Sequence, residues 1–237
     1  LANTVAEGLK ELLCALSQGH VLMAILTNAS ENRTAKATFC IPEKYFRKGK
    51  LSGASICQKI VEANNLACDY PKRAVTHNKG IMNGVIALVL ATGNDTRAVE
   101  AAAHFYAQKE GKYHPLTHYH FENGHLNGLI ELPLPIGTIG GSISVWPPAE
   151  LALKLLGKPR ARELCQIAAT LGLAQNLAAL FALVTEGIQA GHMTLHAARI
   201  AYAAGARGED VRRVGAELWS RGTLNNDAAK KILDERR

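Results

Sequence analysis

The strongest constraint on this chain lies in its middle. Residues 77–84 read HNKGIMNG, polar and glycine-containing, and residues 85–91 continue as VIALVLA with no polar side chain. A wholly apolar body joined to a polar start predicts a buried helix whose first turns face a cleft. Lys79 stands in that start. A lysine at the edge of an apolar segment is partly desolvated, so that its pKa falls or it takes an anionic partner. Asp95 follows the same segment in the run GNDT. That position also suits a helix N-cap, and spacing alone leaves both readings of Asp95 open.

The flanking segments supply smaller elements. Residues 4–17 carry Val5, Leu9, Leu12, Leu13 and Leu16 at helical spacing, and residues 20–26 read as a short apolar strand. A polar turn at 28–34 leads to a second strand at 35–41. A helix over 52–67 follows, with Ser52 as N-cap and Asp69-Tyr70-Pro71 as its stop. After a helix at 97–108 the apolar period changes to two. Residues 116–122 and 126–132 flank Asn123-Gly124, which predicts a β-hairpin. Beyond a glycine-rich turn at 137–141 the pattern is helical to the end, with breaks expected at Gly157, Gly172, Gly191, Gly205 and Gly222. From about Gly191 the chain becomes more charged, as a small separate helical unit would be.

Composition narrows the function. Hydrophobic residues at 48% and charged residues at 20% fit a folded globular chain, and 5% aromatics fit closely packed helices. The net charge of +7 favours anionic partners. Its basic residues are scattered and little interleaved with aromatics, which argues against nucleic acid and fits a phosphorylated small molecule. Five cysteines without CxxC spacing indicate reduced thiols. The longest apolar run, at 84–93, is short of a membrane span, and no signal pattern opens the chain, so a cytoplasmic location is expected. Leu1 enters directly into a helical pattern, as in a chain that continues on its N-terminal side. His192 and His196 lie four apart, half of a metal site that lacks a third ligand. His118 and His120 share one face of the hairpin.

In order, the chain carries RAVTHNKGIMNG at 73–84, ATGNDTRAVEA at 91–101, PIGTIGG at 135–141, LGLAQNLAAL at 171–180 and TEGIQAGHMTLH at 185–196. In order and spacing these resemble the 3-hydroxy-3-methylglutaryl-coenzyme A (HMG-CoA) reductases of the soluble bacterial type, from residue 1 to about residue 205. After Gly141 the family usually continues with a small residue, a threonine and a later His-Pro. Here Ser142-Ile143 and Trp146-Pro147 stand instead.

The resemblance implies an α+β or α/β fold. Residues 1–27 would be the tail of a small nucleotide-binding domain, 28–188 a helix-rich substrate-binding domain with a small sheet, and 189–237 a C-terminal helical flap. It implies Lys79 as catalytic lysine, Asp95 as its acidic partner and His192 as the acid that protonates the departing coenzyme A thiolate. Arg73, Asn83 and Asn28 match positions around the hydroxymethylglutaryl carboxylate. The implied reaction interconverts HMG-CoA with mevalonate and coenzyme A, using NAD(H) or NADP(H), in a homodimer or an oligomer of dimers. No metal, nucleic acid or membrane is implied. The family's catalytic glutamate and its cofactor motif lie N-terminal to the matched region. A truncated, non-catalytic paralogue that dimerises or binds coenzyme A is the alternative.

Overall fold

The computed structural model describes residues 2–235 and their side chains, except those of residue 142 and residues 188–195. In chain order the elements are α1 (Ala2–Gly8), α2 (Lys10–Ser17), β1 (Thr34–Pro42), α3 (Gly53–Asp69), α4 (Pro71–Ala91) and α5 (Thr96–Ala107). There follow β2 (Gln108–Lys109), β3 (Lys112–Tyr113), β4 (Thr117–Glu122), β5 (His125–Pro133), α6 (Pro147–Leu155), α7 (Ala161–Val184), α8 (Ile188–Ala203), α9 (Glu209–Ser220) and α10 (Asn226–Asp234). Short 3-10 turns occupy Glu43–Phe46 and Gly141–Ser144. One sheet has the order β1-β5-β4, and β2 pairs antiparallel with β3. The helix-rich fold with a small sheet is the one expected. The chain divides into two compact units.

The first unit comprises the segments up to Cys40, Asn64–His120 and Asn127–Gln175. Its central helix is α4. Pro71 sits at the start of α4, where its missing N–H costs nothing, so the helix begins well before the apolar body. Ala74, His77, Asn78, Ile81, Met82, Val85 and Val89 form the buried face of α4. Two glycines let backbones come close against it. A Cβ at Gly172 would stand 2.9 Å from Val85 and 3.3 Å from Ile130, and one at Gly84 would stand 3.2 Å from Gln175. Gly172 is therefore not a helix break, as its sequence context suggested. It is the contact point of α7 with α4 and β5, in a helix that runs unbroken for 24 residues. By length and composition α7 could also cross a membrane, and a third of its most apolar window is buried.

The hairpin forms as expected. Asn123 and Gly124 both take positive φ, +50° and +71°, which is the backbone of a type I′ turn. Along β4 the exposed positions include His118 and His120, on one face. The strand expected at residues 20–26 does not form: the segment is irregular, and its apolar side chains Val21, Leu22, Met23, Ile25 and Leu26 are exposed. An apolar run becomes a strand only where a neighbouring strand takes up its backbone groups. The helix before it is split into α1 and α2, neither with a buried residue.

The second unit comprises Ile41–Ala63, Phe121–Leu126 and the segment from Asn176 onward. Ala197, Ala201, Val214, Leu218, Ala229 and Ile232 form a small core of α8, α9 and α10. Gly215 brings α9 within contact of the α8 backbone, its Cβ position lying 3.1 Å from Ala198. Chain reversals occur at Gly205 and Gly222, as expected, and Gly157 has positive φ too. The expected break at Gly191 lies inside α8, and the interruption is at Gly187, with φ +81°.

Candidate active site

α4 sorts its side chains by angle. Lys72, Thr76, Lys79, Asn83, Ala87 and Leu90, three or four residues apart, are exposed along one stripe opposite the buried face. Lys79 and Asn83 are thus neighbours one turn apart, and Arg73 is half-buried on the flank. The expected desolvation of Lys79 is absent within the single chain, because the residue faces away from the core that buries its two predecessors.

Those predecessors are fastened. Asn78 is fully buried; its amide Nδ2 donates to the carbonyl oxygen of His114 at 2.8 Å, and its Oδ1 accepts from the Leu116 N–H at 2.9 Å. His77 places Nε2 at 2.6 Å from the Thr117 hydroxyl, which donates to Asn64 Oδ1 at 3.4 Å. Burial, with Arg73 and His118 nearby, pushes the imidazole pKa down to about 4, so His77 is neutral at physiological pH. Sequence reading passed over both residues. Their signal was the unbroken polar run before Lys79, which read as cleft-facing but in fact faces the core.

A second cluster surrounds Asp95. The carboxylate Oδ1 accepts from the N–H groups of Arg97 and Ala98, both at 3.0 Å, capping α5. The adjacent Asn94 holds the glycine-rich turn with a reciprocal pair. Its Nδ2 donates to the Gly137 carbonyl at 3.0 Å, and its Oδ1 accepts from the Gly137 N–H at 2.8 Å. Gly93, at φ +69°, makes the tight exit from α4, with its Cβ position 3.0 Å from Ala149. Asp95 is exposed, beside a fixed glycine-rich turn.

Lys79 and Asp95 are not brought together within one chain. The helix rises about 18 Å between Lys79 and Ala91, at about 1.5 Å per residue, and Asp95 lies beyond that end. Among the described residues they form no ion pair. Asn28 is exposed in the irregular segment before β1, its carbonyl accepting from the Ser30 N–H at 2.8 Å. His192 belongs to α8, and its side chain lies outside the described residues. No group of three or more His, Cys, Asp or Glu among the described residues is placed to hold a metal ion.

The family model for hydroxymethylglutaryl-coenzyme A reductase matches residues 1–197. A 3-hydroxy-3-methylglutaryl-coenzyme A reductase of Archaeoglobus fulgidus is 45% identical over 236 residues, which cover 99% of this chain and 53% of that protein. A probable reductase of the same name from Borreliella burgdorferi is 40% identical over 200 residues, or 84% of this chain and 46% of its own length. The reductase structure from Streptococcus pneumoniae superposes on all of this chain and 56% of its own, with TM-score 0.75 and 44% identity. A class II reductase structure from the same organism, bound to NADPH in open conformations, matches with TM-score 0.74 and 44% identity over 57% of its length. The chain spans about half the length of the curated relatives it matches. With its family model matched over residues 1–197, this chain belongs to the hydroxymethylglutaryl-coenzyme A reductase family.

Proposed function

We propose that the protein carrying this chain interconverts HMG-CoA with mevalonate and coenzyme A, and that its active site is shared between two copies. The observation that carries the shared site is the separation of Lys79 and Asp95 along α4. If both act on one carbonyl, Asp95 must come from a second copy, laid against the exposed stripe of α4 in a two-fold dimer. The stripe suits such a contact, since it includes Ala87 and Leu90, and a Cβ at Gly80 would meet nothing within 4 Å.

The chain's own groups then have distinct tasks. As the thioester is reduced, negative charge grows on its carbonyl oxygen, and the Lys79 ammonium stabilises it in a site that dimerisation closes to water. A carboxylate about 4 Å away favours the charged amine by roughly 4 kcal/mol at an effective dielectric near 20. One oxygen of Asp95 caps α5, which fixes the carboxylate's direction. Arg73, Asn83 and Asn28 hold the hydroxymethylglutaryl carboxylate and its polar surroundings. The hemithioacetal formed in the first reduction collapses to aldehyde and thiolate, and His192 protonates the thiolate so that it cannot re-add. Residues 189–237, which follow the domain tail 1–27 and the substrate-binding residues 28–188 in the chain, act as the flap that carries His192 to the site.

Reduced nicotinamide supplies the hydride when bound. The described residues offer it no dinucleotide cradle: the Gly137–Gly141 turn has neither the glycine spacing nor a following α-helix aimed at a phosphate, and it is occupied with Asn94. We place the cofactor site outside these residues. Its identity, NAD(H) or NADP(H), and a cytoplasmic location belong to the same reading. The test is the near-ultraviolet absorbance of the reduced nicotinamide in the complete gene product, with HMG-CoA in one direction and with mevalonate and coenzyme A in the other. Coenzyme A-dependent turnover is expected. Silence from a folded dimer would favour the non-catalytic paralogue.

A further inference from the structure

We propose that His77 and Asn78 are positioning residues for Lys79, fastening the first turns of α4 to the Leu116-Thr117 edge so that the ammonium is presented at a fixed depth and angle. The proposal rests on the reading of Lys79 as the catalytic cation. Three observations carry it. The two residues directly before Lys79 are buried polar groups, at 2% and 0% exposure, on a helix whose other buried positions are mostly apolar. Their hydrogen bonds reach three groups of one neighbouring segment, the His114 carbonyl, the Leu116 N–H and the Thr117 hydroxyl, within four residues of one another. The hydroxyl continues to Asn64 on α3.

Apolar packing alone holds a helix against a sheet, but it resists a small rotation weakly. Asn78 and His77 project about 100° apart around the axis, so bonds from both fix rotation and translation together. Lys79 is the next residue. A misplacement of about 1 Å at a reacting group costs up to about 100-fold in rate, which is the scale such fastening protects. The bonds also assign the imidazole tautomer. With Nε2–H donating to the Thr117 hydroxyl, Nδ1 is left as a bare acceptor. The opposite assignment would bury an unpaired N–H at Nδ1, which has no partner among the described residues, and an orphaned donor is the rarer and costlier case. A side chain used only to fill space would have no reason to carry this arrangement.

The experiment uses the complete gene product, with wild-type turnover measured first; a silent, folded wild type overturns the reductase reading and with it this proposal, whereas an active wild type isolates the proposal for the variants. In an active protein, His77→Leu and Asn78→Leu should lower kcat by roughly 100-fold and change KM for HMG-CoA by less than about 3-fold, with circular dichroism and oligomeric state unaltered. His77→Gln restores an N–H near the Nε2 position and should recover kcat to within about 10-fold of wild type. Thr117→Val removes the hydroxyl at constant volume and serves where the leucine variants do not fold; it should lower kcat in the same direction. The double variant Lys79→Ala, His77→Leu should be no slower than Lys79→Ala alone, because His77 acts through Lys79. A folded His77→Leu or Thr117→Val enzyme with kcat within about 3-fold of wild type would overturn the proposal, as would a further loss in the double variant.

Discussion

Lowering the pH should destabilise this protein through His77. In the unfolded chain the imidazole titrates near 6.5, and in the folded chain burial holds it at about 4. Between those values unfolding takes up one proton, so stability is complete at neutral pH, declines as pH falls through 6.5, and has lost this contribution below 4. The difference between 6.5 and about 4, at about 1.4 kcal/mol per pH unit, comes to about 3.5 kcal/mol. That is a large share of the roughly 5–15 kcal/mol by which domains are stable. Other groups titrate differently. Glu131, Glu150 and Glu163 have carboxyl pKa values lowered by hydrogen bonds to Lys36, Lys154 and Arg160, so their contributions are lost only below the ordinary carboxylate range. His118 is lowered as His77 is, by partial burial and by Lys109 and His114, and adds a smaller loss of the same sign. The assay is urea unfolding of wild type and His77→Gln at steps from about pH 7 to about pH 4.5. The wild type should lose about 2–3 kcal/mol more than the variant across that range. Equal losses would refute the assignment of a buried neutral imidazole.

Lys79→Ala should reduce turnover in both directions by roughly 100- to 1,000-fold, as removal of an oxyanion partner does; rates within a few-fold of wild type would remove Lys79 from the mechanism. His192→Ala should cripple reduction of HMG-CoA yet spare reduction of free mevaldehyde, which has no thiolate to release, and loss of both reactions would give the histidine another task. Gly172→Ala should cost about 1–3 kcal/mol in urea unfolding, because its Cβ would meet Val85 at 2.9 Å and Ile81 at 3.2 Å. Gly80→Ala separates the chain from its assembly. Open space surrounds the added Cβ, so the helix gains about 0.5–1 kcal/mol, while the dimer should weaken in sedimentation if the α4 stripe is its contact.

Where a structural feature depends on neighbours in sequence, it was legible. Asn123-Gly124 requires the turn it makes, Asp95 caps the helix that follows it, and Gly205 and Gly222 reverse the chain. Features decided by distant packing were not. Gly172 looks like a break and is a contact, since only the approach of Val85 and Ile130 gives the glycine its purpose. Residues 20–26 have a strand's composition without a strand's neighbour. The proposed site residues Lys79, Asp95 and His192 come from resemblance to a known family. That resemblance did not supply the fastening at His77 and Asn78, because a polar run beside a lysine looks the same whether it faces a cleft or the core. The separation of Lys79 from Asp95 was legible, since the sequence already set the two at opposite ends of one helix, which α4 extends back to Pro71.

The shared site is tested most directly by mixing two inactive variants of the complete gene product. Lys79→Ala and Asp95→Ala subunits are denatured together, refolded and assayed for HMG-CoA reduction. If each site joins Lys79 of one copy to Asp95 of the other, every hybrid dimer holds one intact site and one doubly altered site. Random mixing makes about half the dimers hybrids, so about a quarter of wild-type activity should return. If both groups come from one chain, no intact site can form, and a mixture as inactive as its parents would contradict the account.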